Sequence, residues 1–237
     1  MILAAFLVTI ILAGSVWRLL RSRNMDLWIW TYLRSRFQPR NKTGQEPTHV
    51  YFCFCDHFEP YWRKANVDTA RSRVARWLDG YPRIAGLHRD SDGRVPQHSF
   101  FYPEEEYDEW ILDGLAQLRR DGFGDVEVHL HHDNDTADHL RATLLDFTRR
   151  LHDRHGLLRR DEKTGQLMYC FIHGNWALDN SRPDGRWCGV DNELSILVET
   201  GCRCDFTMPS APSDTQTTKI NSIYFARGEP GCRKSHN

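Results

Sequence analysis

The chain has 237 residues, with 31 basic and 32 acidic side chains and a formal net charge of −1. Because these charges nearly cancel, the composition gives no sign of a nucleic-acid partner, and the length suits one large domain or two small ones. The odd count of seven cysteines, outside any small disulfide-rich scaffold, favours a reducing compartment.

Residues 1–20 are almost entirely apolar, which predicts a transmembrane helix. A cleaved signal peptide is the alternative, but it would carry basic residues before the apolar run and a small-x-small site after it. Here Arg18, Arg21 and Arg23 lie at the far end of the run. By the positive-inside rule we expect a single-pass membrane protein, held in lipid by this helix, with its folded domain in the cytoplasm.

Residues 21–47 mix aromatic and arginine side chains, a composition that suits the headgroup layer of a membrane. A linker helix packed on its own domain explains the composition equally well, and both interpretations stay open. The remaining residues, 48–237, are predicted to form one α/β domain.

Strand-like and helix-like patterns alternate through this domain. Repeated β–α units imply a parallel sheet or a (β/α) barrel, with the active site at the carboxyl ends of the strands. Asp135 is predicted to cap one of the helices. The predicted strands are 50–54, 98–102, 126–130, 168–172, 204–208 and 220–225, and the predicted helices are 70–81, 107–118, 140–151 and 192–200.

Histidine and aspartate side chains crowd the end of the third predicted strand, in residues 127–135. Because side chains alternate along a strand, His129 and His131 share one face and can converge on an ion at its tip. His132 and Asp133 then fall in the following turn. Buried imidazoles and carboxylates are costly unless they are paired or bound to a metal, so the cluster predicts a metal site.

The first predicted strand ends in a similar segment, residues 54–60, and Asp56 is predicted to join the same metal site. Neutral imidazole together with carboxylate suits a divalent ion, with zinc as the leading choice and cobalt, iron or manganese as alternatives. An open coordination position would bind and acidify water, which predicts a metal-dependent hydrolase.

A short polar segment, His173-Gly174-Asn175-Trp176, follows the fourth predicted strand. Glycine lets a ligand approach the backbone closely, Asn175 can hydrogen-bond a polar substrate, and Trp176 can stack on a sugar ring. A tight loop with a packed tryptophan is the alternative. The candidate substrate-binding residues are His131, His173, Asn175 and Trp176.

The layout of residues 50–225 resembles the polysaccharide deacetylase family, the group with the nodulation-type chitooligosaccharide deacetylase domain. The most telling span runs from the strand His98-Ser-Phe-Phe-Tyr-Pro, through a helix and Gly122-Phe-Gly, to the histidine-rich strand end at Asp133. The resemblance implies a distorted (β/α) barrel, here preceded by the transmembrane helix. It also implies the removal of an N- or O-acetyl group from a glycan or polysaccharide substrate.

Carried over by position, the resemblance assigns Asp56 and His129 as metal ligands. Asp133 stands where the family has its second histidine, with His131 and His132 beside it. His132 and Asp133 are therefore both kept as candidates for the remaining ligand.

The family's catalytic base is a carboxylate just before the metal-binding aspartate, where this chain has Cys55. His57 and Glu59 are the nearby candidates for that catalytic role. The family's late leucine–histidine motif is not evident, so we expect a divergent member of the family, or one truncated at its C-terminus.

Two other functions stay open. A different metal-dependent amidohydrolase or phosphoesterase would also place a His-x-His pair such as His129-Leu130-His131 at a strand end. A catalytically degenerate, membrane-tethered protein that binds a glycan is the second alternative, because the expected base is missing.

Overall fold

The N-terminal segment forms an apolar helix that stands apart from the core. The structure, a computed structural model, describes residues 2–38 and 49–237. Helix α1 (Ile2–Ser22) contains the span Ala5–Ser22, which has a mean hydropathy of 1.5, no buried residues and enough length to cross a membrane. Helix α2 (Ile29–Phe37) follows a short turn. Of the predicted linker, residues 39–47 lie outside the described residues.

The domain is built on a six-stranded sheet that is mostly parallel. β1, β2, β3 and β5 are parallel neighbours in that order, β6 is also parallel to β5, and the short β4 pairs with β5 in the antiparallel sense. The predicted α/β class and parallel sheet are confirmed. Within residues 49–237 no strand pairing closes the sheet, and the barrel stays a prediction. The strands are β1 (Phe54–His57), β2 (His98–Pro103), β3 (Gly124–Leu130), β4 (Arg159–Arg160), β5 (Leu167–His173) and β6 (Cys202–Asp205).

Helices between the strands cover one face of the sheet. Each of the three longer ones begins at a side chain that accepts a hydrogen bond from its first turn, namely Asn66, Asp108 and Thr136. Their apolar stripes pack with alternate residues of β3, such as Val126 and Val128, in one hydrophobic core. The helices are α3 (Val67–Ala85), α4 (Glu109–Arg120), α5 (Ala137–His155) and α6 (Glu193–Thr200).

Three local predictions were wrong. The first strand begins at Phe54 rather than at residue 50, and Tyr51 and Phe52 are 89% and 77% exposed. Residues 220–225 form no strand, because they find no pairing partner in the described part of the chain, and Phe225 is fully exposed. Thr136 rather than Asp135 caps α5, since the Asp135 carboxylate lies instead against His132 and His139.

Candidate metal centres

One group of potential metal ligands, called here the open cluster, consists of His57, Glu59 and His129 at the carboxyl ends of β1 and β3. Oε1 of Glu59 lies 3.7 Å from Nδ1 of His57 and 3.4 Å from Nε2 of His129. One ligand atom from each residue lies within 4.8 Å of the others. Two imidazoles and a carboxylate therefore converge on a single point at the sheet edge.

The hydrogen bonding of His129 shows that its free nitrogen faces this point. The ring is fully buried, and Nδ1 donates to the carbonyl oxygen of Ile172 at 2.8 Å. Nε2 has no hydrogen-bond partner among the described residues and faces the Glu59 carboxylate. A lone pair directed at a carboxylate is unfavourable unless a cation or a second proton lies between them. The arrangement therefore fits a metal ion.

The charge states of the other two residues also suit metal binding. Burial, reinforced by the neighbouring His129, lowers the pKa of His57 to about 4, so its imidazole is neutral near pH 7. Burial alone would raise the pKa of Glu59. The contact with His129 and the charge of His131 outweigh burial, so that the pKa of Glu59 is lowered and the carboxylate is ionised.

Asp56, the predicted ligand of the first strand, is not brought to the open cluster. β1 pairs Asp56 with Phe100 and His57 with Phe101, and Phe100 belongs to the helix-covered core. Side chains alternate along a strand, so Asp56 and His57 point to opposite faces of the sheet. The carboxylate of Asp56 lies 3.0 Å from Nε2 of His98 instead.

Two other predicted residues lie beside the open cluster and in the turn after β3. Nε2 of His131 lies 3.7 Å from Oε1 of Glu59, and Nδ1 of His131 contacts Glu105. Burial would lower the pKa of His131, but its hydrogen bond to Glu105 outweighs burial and raises that pKa. Asp133 stands apart, because its carboxylate accepts a hydrogen bond of 2.6 Å from the backbone N–H of Trp187.

The segment after β5 brings an aromatic ring to the open cluster. The centroid of the Trp176 ring lies 6.1 Å from that of His57, and 44% of Trp176 is exposed. Asn175 lies in the same short turn with a φ of 55°. Gly174 is required there, because a Cβ atom would overlap the His131 ring and come within 2.8 Å of the Leu130 carbonyl oxygen.

A second group, called here the closed cluster, consists of His132, His173, Cys188 and Glu193. One ligand atom from each residue lies within 4.8 Å of the others. Oε1 of Glu193 lies 3.1 Å from Nε2 of His132 and 3.5 Å from Nε2 of His173, and Oε2 lies 3.5 Å from Sγ of Cys188. His132 was predicted to share an ion with His129, and His173 was predicted to bind substrate, but the structure places both in this group.

The closed cluster is shielded from solvent. His173, Cys188 and Glu193 are 0% exposed, and the His132 side chain is 6% exposed. Burial lowers the pKa of His173 to about 4. Burial would raise the pKa of Glu193, but the neighbouring His173 and His132 outweigh burial and lower that pKa. The centre therefore carries a buried carboxylate next to a neutral imidazole.

Sequence reasoning missed Cys188 and Glu193. Cys188 lies in the long loop before α6, far along the chain from the histidine-rich turn. Glu193 is the first residue of α6, where an acidic side chain is ordinarily explained by the helix dipole. The one available signal was that a cysteine and a glutamate follow the fourth predicted strand, 16 and 21 residues after its end.

Comparison of the chain with protein-family models, with curated proteins and with solved structures finds no match in any of the three. Membership of the polysaccharide deacetylase family therefore stays a prediction from the motifs. The chemistry of the two clusters is inferred from their donor atoms.

Proposed function

We propose that the chain is a zinc-dependent hydrolase that removes acetyl groups from a glycan or polysaccharide. The observation that carries the proposal is the open cluster, in which the unpartnered Nε2 of His129 and the side chains of His57 and Glu59 face one point at the sheet edge. Two imidazoles and one carboxylate with a further open position are typical of catalytic zinc sites. Cobalt, iron or manganese would accept the same donors.

His57, Glu59 and His129 are assigned as the residues that hold the ion. A bound zinc ion supplies a polarised acetyl carbonyl and an acidified water molecule. Because His57 and Glu59 serve as ligands here, neither keeps the role of catalytic base that the family motif suggested. His131 is the remaining titratable group beside the cluster, and its hydrogen bond to Glu105 outweighs burial and raises the pKa of its imidazole.

His131 is accordingly assigned as the group that transfers a proton to the leaving amine or alkoxide. Its Nε2 lies 3.7 Å from the Glu59 carboxylate, at the edge of the point where the ligands converge. Glu105 contacts Nδ1 and so holds the ring in place, as a positioning residue. General acid catalysis by a positioned imidazole contributes about 10²- to 10⁴-fold to the rate.

The surroundings of the open cluster support a glycan as the substrate. Trp176 presents a largely apolar ring beside His57, and such a ring suits the apolar face of a sugar. A cleft of about 680 Å³ borders His57 and Glu59 and is lined on its other side by Trp77 and Tyr81. The lining also includes Asp56, Arg73 and Arg76, so aromatic rings and polar groups that could bind the hydroxyl groups of a sugar occur together in this cleft.

The barrel fold and the membrane location of the protein are part of the same proposal. A distorted (β/α) barrel of the deacetylase type accounts for ligands at the carboxyl ends of parallel strands. Helix α1 would anchor the protein in lipid as a single-pass segment. Arg21 in its last turn and Arg23 just after it favour a cytoplasmic position for the domain.

The decisive experiment uses the full-length chain in detergent micelles, stripped with chelator and reloaded with zinc. We expect acetate release from acetylated oligosaccharides that requires zinc, and its loss in the variant His129→Ala. His139→Ala is the matched control, because the side chain of His139 is 71% exposed and its ring lies against Asp135, outside the open cluster. Unchanged acetate release by His129→Ala would reject the site.

A substrate panel separates the alternative functions. Turnover of phosphoesters without acetate release would favour another metal-dependent hydrolase. Binding of an oligosaccharide without zinc and without turnover would favour the degenerate glycan-binding protein. Either result would overturn the proposed deacetylation.

A further inference from the structure

The closed cluster offers four protein ligands, the number found in a structural metal site, where a catalytic site has three and an open position. We propose that His132, His173, Cys188 and Glu193 bind a second zinc ion through two imidazole nitrogens, a thiolate and a carboxylate. Four protein ligands complete the tetrahedral coordination of zinc and leave no position for substrate. This inference goes beyond the proposed hydrolase and does not depend on it.

His173 supplies an independent indication of a ligand. Its ring is 0% exposed, and Nδ1 contacts the carbonyl oxygen of Gly174, so Nδ1 carries the proton. Nε2 then bears a lone pair, has no hydrogen-bond partner in the part of the chain that the structure describes, and lies 3.5 Å from Oε1 of Glu193. Such a buried lone pair facing a carboxylate is satisfied by a cation between the two atoms.

Outer contacts hold the ligands in the way that metal sites require. A histidine that binds a metal commonly presents its other nitrogen to a carbonyl or carboxylate oxygen, which fixes the ring. The Gly174 carbonyl does this for His173, whereas Oδ2 of Asp135 lies 3.2 Å from Nδ1 of His132 without hydrogen-bond geometry. The second carboxylate oxygen of Glu193 accepts a hydrogen bond of 2.6 Å from the backbone N–H of Asp179.

A buried ion pair is the competing explanation, and it accounts for only part of the cluster. A protonated His132 would pair with Glu193 at 3.1 Å. That pair leaves Nε2 of His173 with its lone pair toward the same carboxylate. The buried sulfur of Cys188 then has weak contacts with the Glu193 carboxylate at 3.5 Å and with the Val190 carbonyl oxygen and N–H at 3.6 Å and 3.5 Å. A single cation satisfies all four side chains at once.

The four ligands come from separate parts of the fold. His132 follows β3, His173 ends β5, Cys188 lies in the loop before α6, and Glu193 begins α6. The backbone N–H of Asp135 also donates to the Cys188 carbonyl oxygen at 2.9 Å, which brings this loop to the turn after β3. The ion would therefore fasten the loop of residues 174–192 to the sheet. It would also stabilise the short turn after β5 that carries Trp176.

Cobalt reports on the thiolate directly. The full-length chain in micelles, loaded with cobalt, is expected to show a sulfur-to-cobalt charge-transfer band in the near ultraviolet. Cys188→Ser should lose this band and one equivalent of bound zinc, whereas Cys170→Ser, which alters a thiol outside the cluster, should keep both. A band of full intensity in Cys188→Ser would overturn the assignment.

A measurement on the unaltered chain covers the case in which Cys188→Ser does not fold. Zinc is expected to slow alkylation of Cys188 at least tenfold relative to the chelator-treated protein, measured by mass spectrometry of the peptide. Equal alkylation rates together with no cobalt–sulfur band would reject the site. The band does not require turnover, so its presence without acetate release would reject only the proposed hydrolase.

Discussion

Asp108 offers a sharp test of how the fold holds the open cluster in place. This residue is 8% exposed and caps α4 by accepting a hydrogen bond of 3.3 Å from the N–H of Ile111. Its carboxylate also accepts bonds from the Tyr61 hydroxyl at 2.7 Å and from two nitrogens of Arg71, each at 3.1 Å. Because Tyr61 lies two residues after Glu59, Asp108 ties the loop that carries a proposed ligand to α3 and α4.

The cost of removing this carboxylate follows from its contacts. Loss of a helix cap costs about 1 kcal/mol. Loss of a hydrogen bond to a charged acceptor, here from Tyr61, costs about 2 kcal/mol. The ion pair with Arg71 adds little, because the Arg71 side chain is 43% exposed and solvent screens the pair. Asp108→Ala should therefore lower the free energy of unfolding by about 3 kcal/mol and the Tm by about 10 °C.

Asp108→Asn separates the contributions. Asparagine caps a helix as well as aspartate does, but it cannot offer two charged oxygens, so we expect a loss of about 1 kcal/mol. Urea and thermal unfolding of the full-length chain in micelles, followed by near-ultraviolet circular dichroism, measure both variants. Asp79→Ala is the matched control, since the side chain of Asp79 is 65% exposed and should change stability by less than about 0.5 kcal/mol.

The pH dependence provides a further check on Asp108. Burial would raise its pKa, but the bonds from Arg71 and Tyr61 outweigh burial and lower the pKa. A carboxyl group with a lowered folded-state pKa stabilises the protein above its unfolded-state pKa and loses that effect as the pH falls through the folded-state value. The difference between wild type and Asp108→Ala should therefore shrink in acid. An Asp108→Ala variant within about 1 kcal/mol of wild type at pH 7 would refute the reasoning.

Three more outcomes are expected. Burial raises the pKa of Glu127 to about 7, so folding is disfavoured as the pH rises from about 4.5 to 7. Glu127→Gln should add on the order of 2 kcal/mol at pH 8 and flatten the pH profile of urea unfolding, and an unchanged profile would contradict this. Gly174→Ala should cost about 1–3 kcal/mol in the same assay because its Cβ meets His131, whereas Gly80→Ala, with open space around the Cβ and no positive φ, is the matched control and should cost nothing. Trp176→Ala should raise KM for the acetylated oligosaccharide roughly fivefold and leave kcat nearly unchanged, and a fall in kcat alone would argue against a binding role.

The helices and most strands of the sheet could be predicted from the sequence. The stripe of Leu140, Leu144, Phe147 and Leu151 has helical spacing, and all four are buried in the core as predicted. β3 could also be predicted from the sequence, because its alternating pattern fixes which residues face the helices. These elements are long, and one period dominates each of them.

The residues of the candidate site were harder to predict from the sequence, because they depend on strand register. β1 has only four residues, so its pattern could not show that His57, rather than Asp56, shares a face with His129. A shift of one residue in a strand exchanges every side chain between its two faces. The closed cluster depends on a long loop that returns Cys188 to the turn after β3, and no local pattern encodes that return.

The outer edge of β1 has a consequence for the behaviour of the protein in solution. β1 pairs only with β2 in the described residues, so one row of its backbone N–H and C=O groups is free, and the preceding Tyr51 and Phe52 are exposed. An extended segment of a neighbouring molecule could add there as a further strand and cover both rings. We therefore expect concentrated samples to aggregate edge to edge, and we expect Phe52→Lys to oppose this association by charge repulsion.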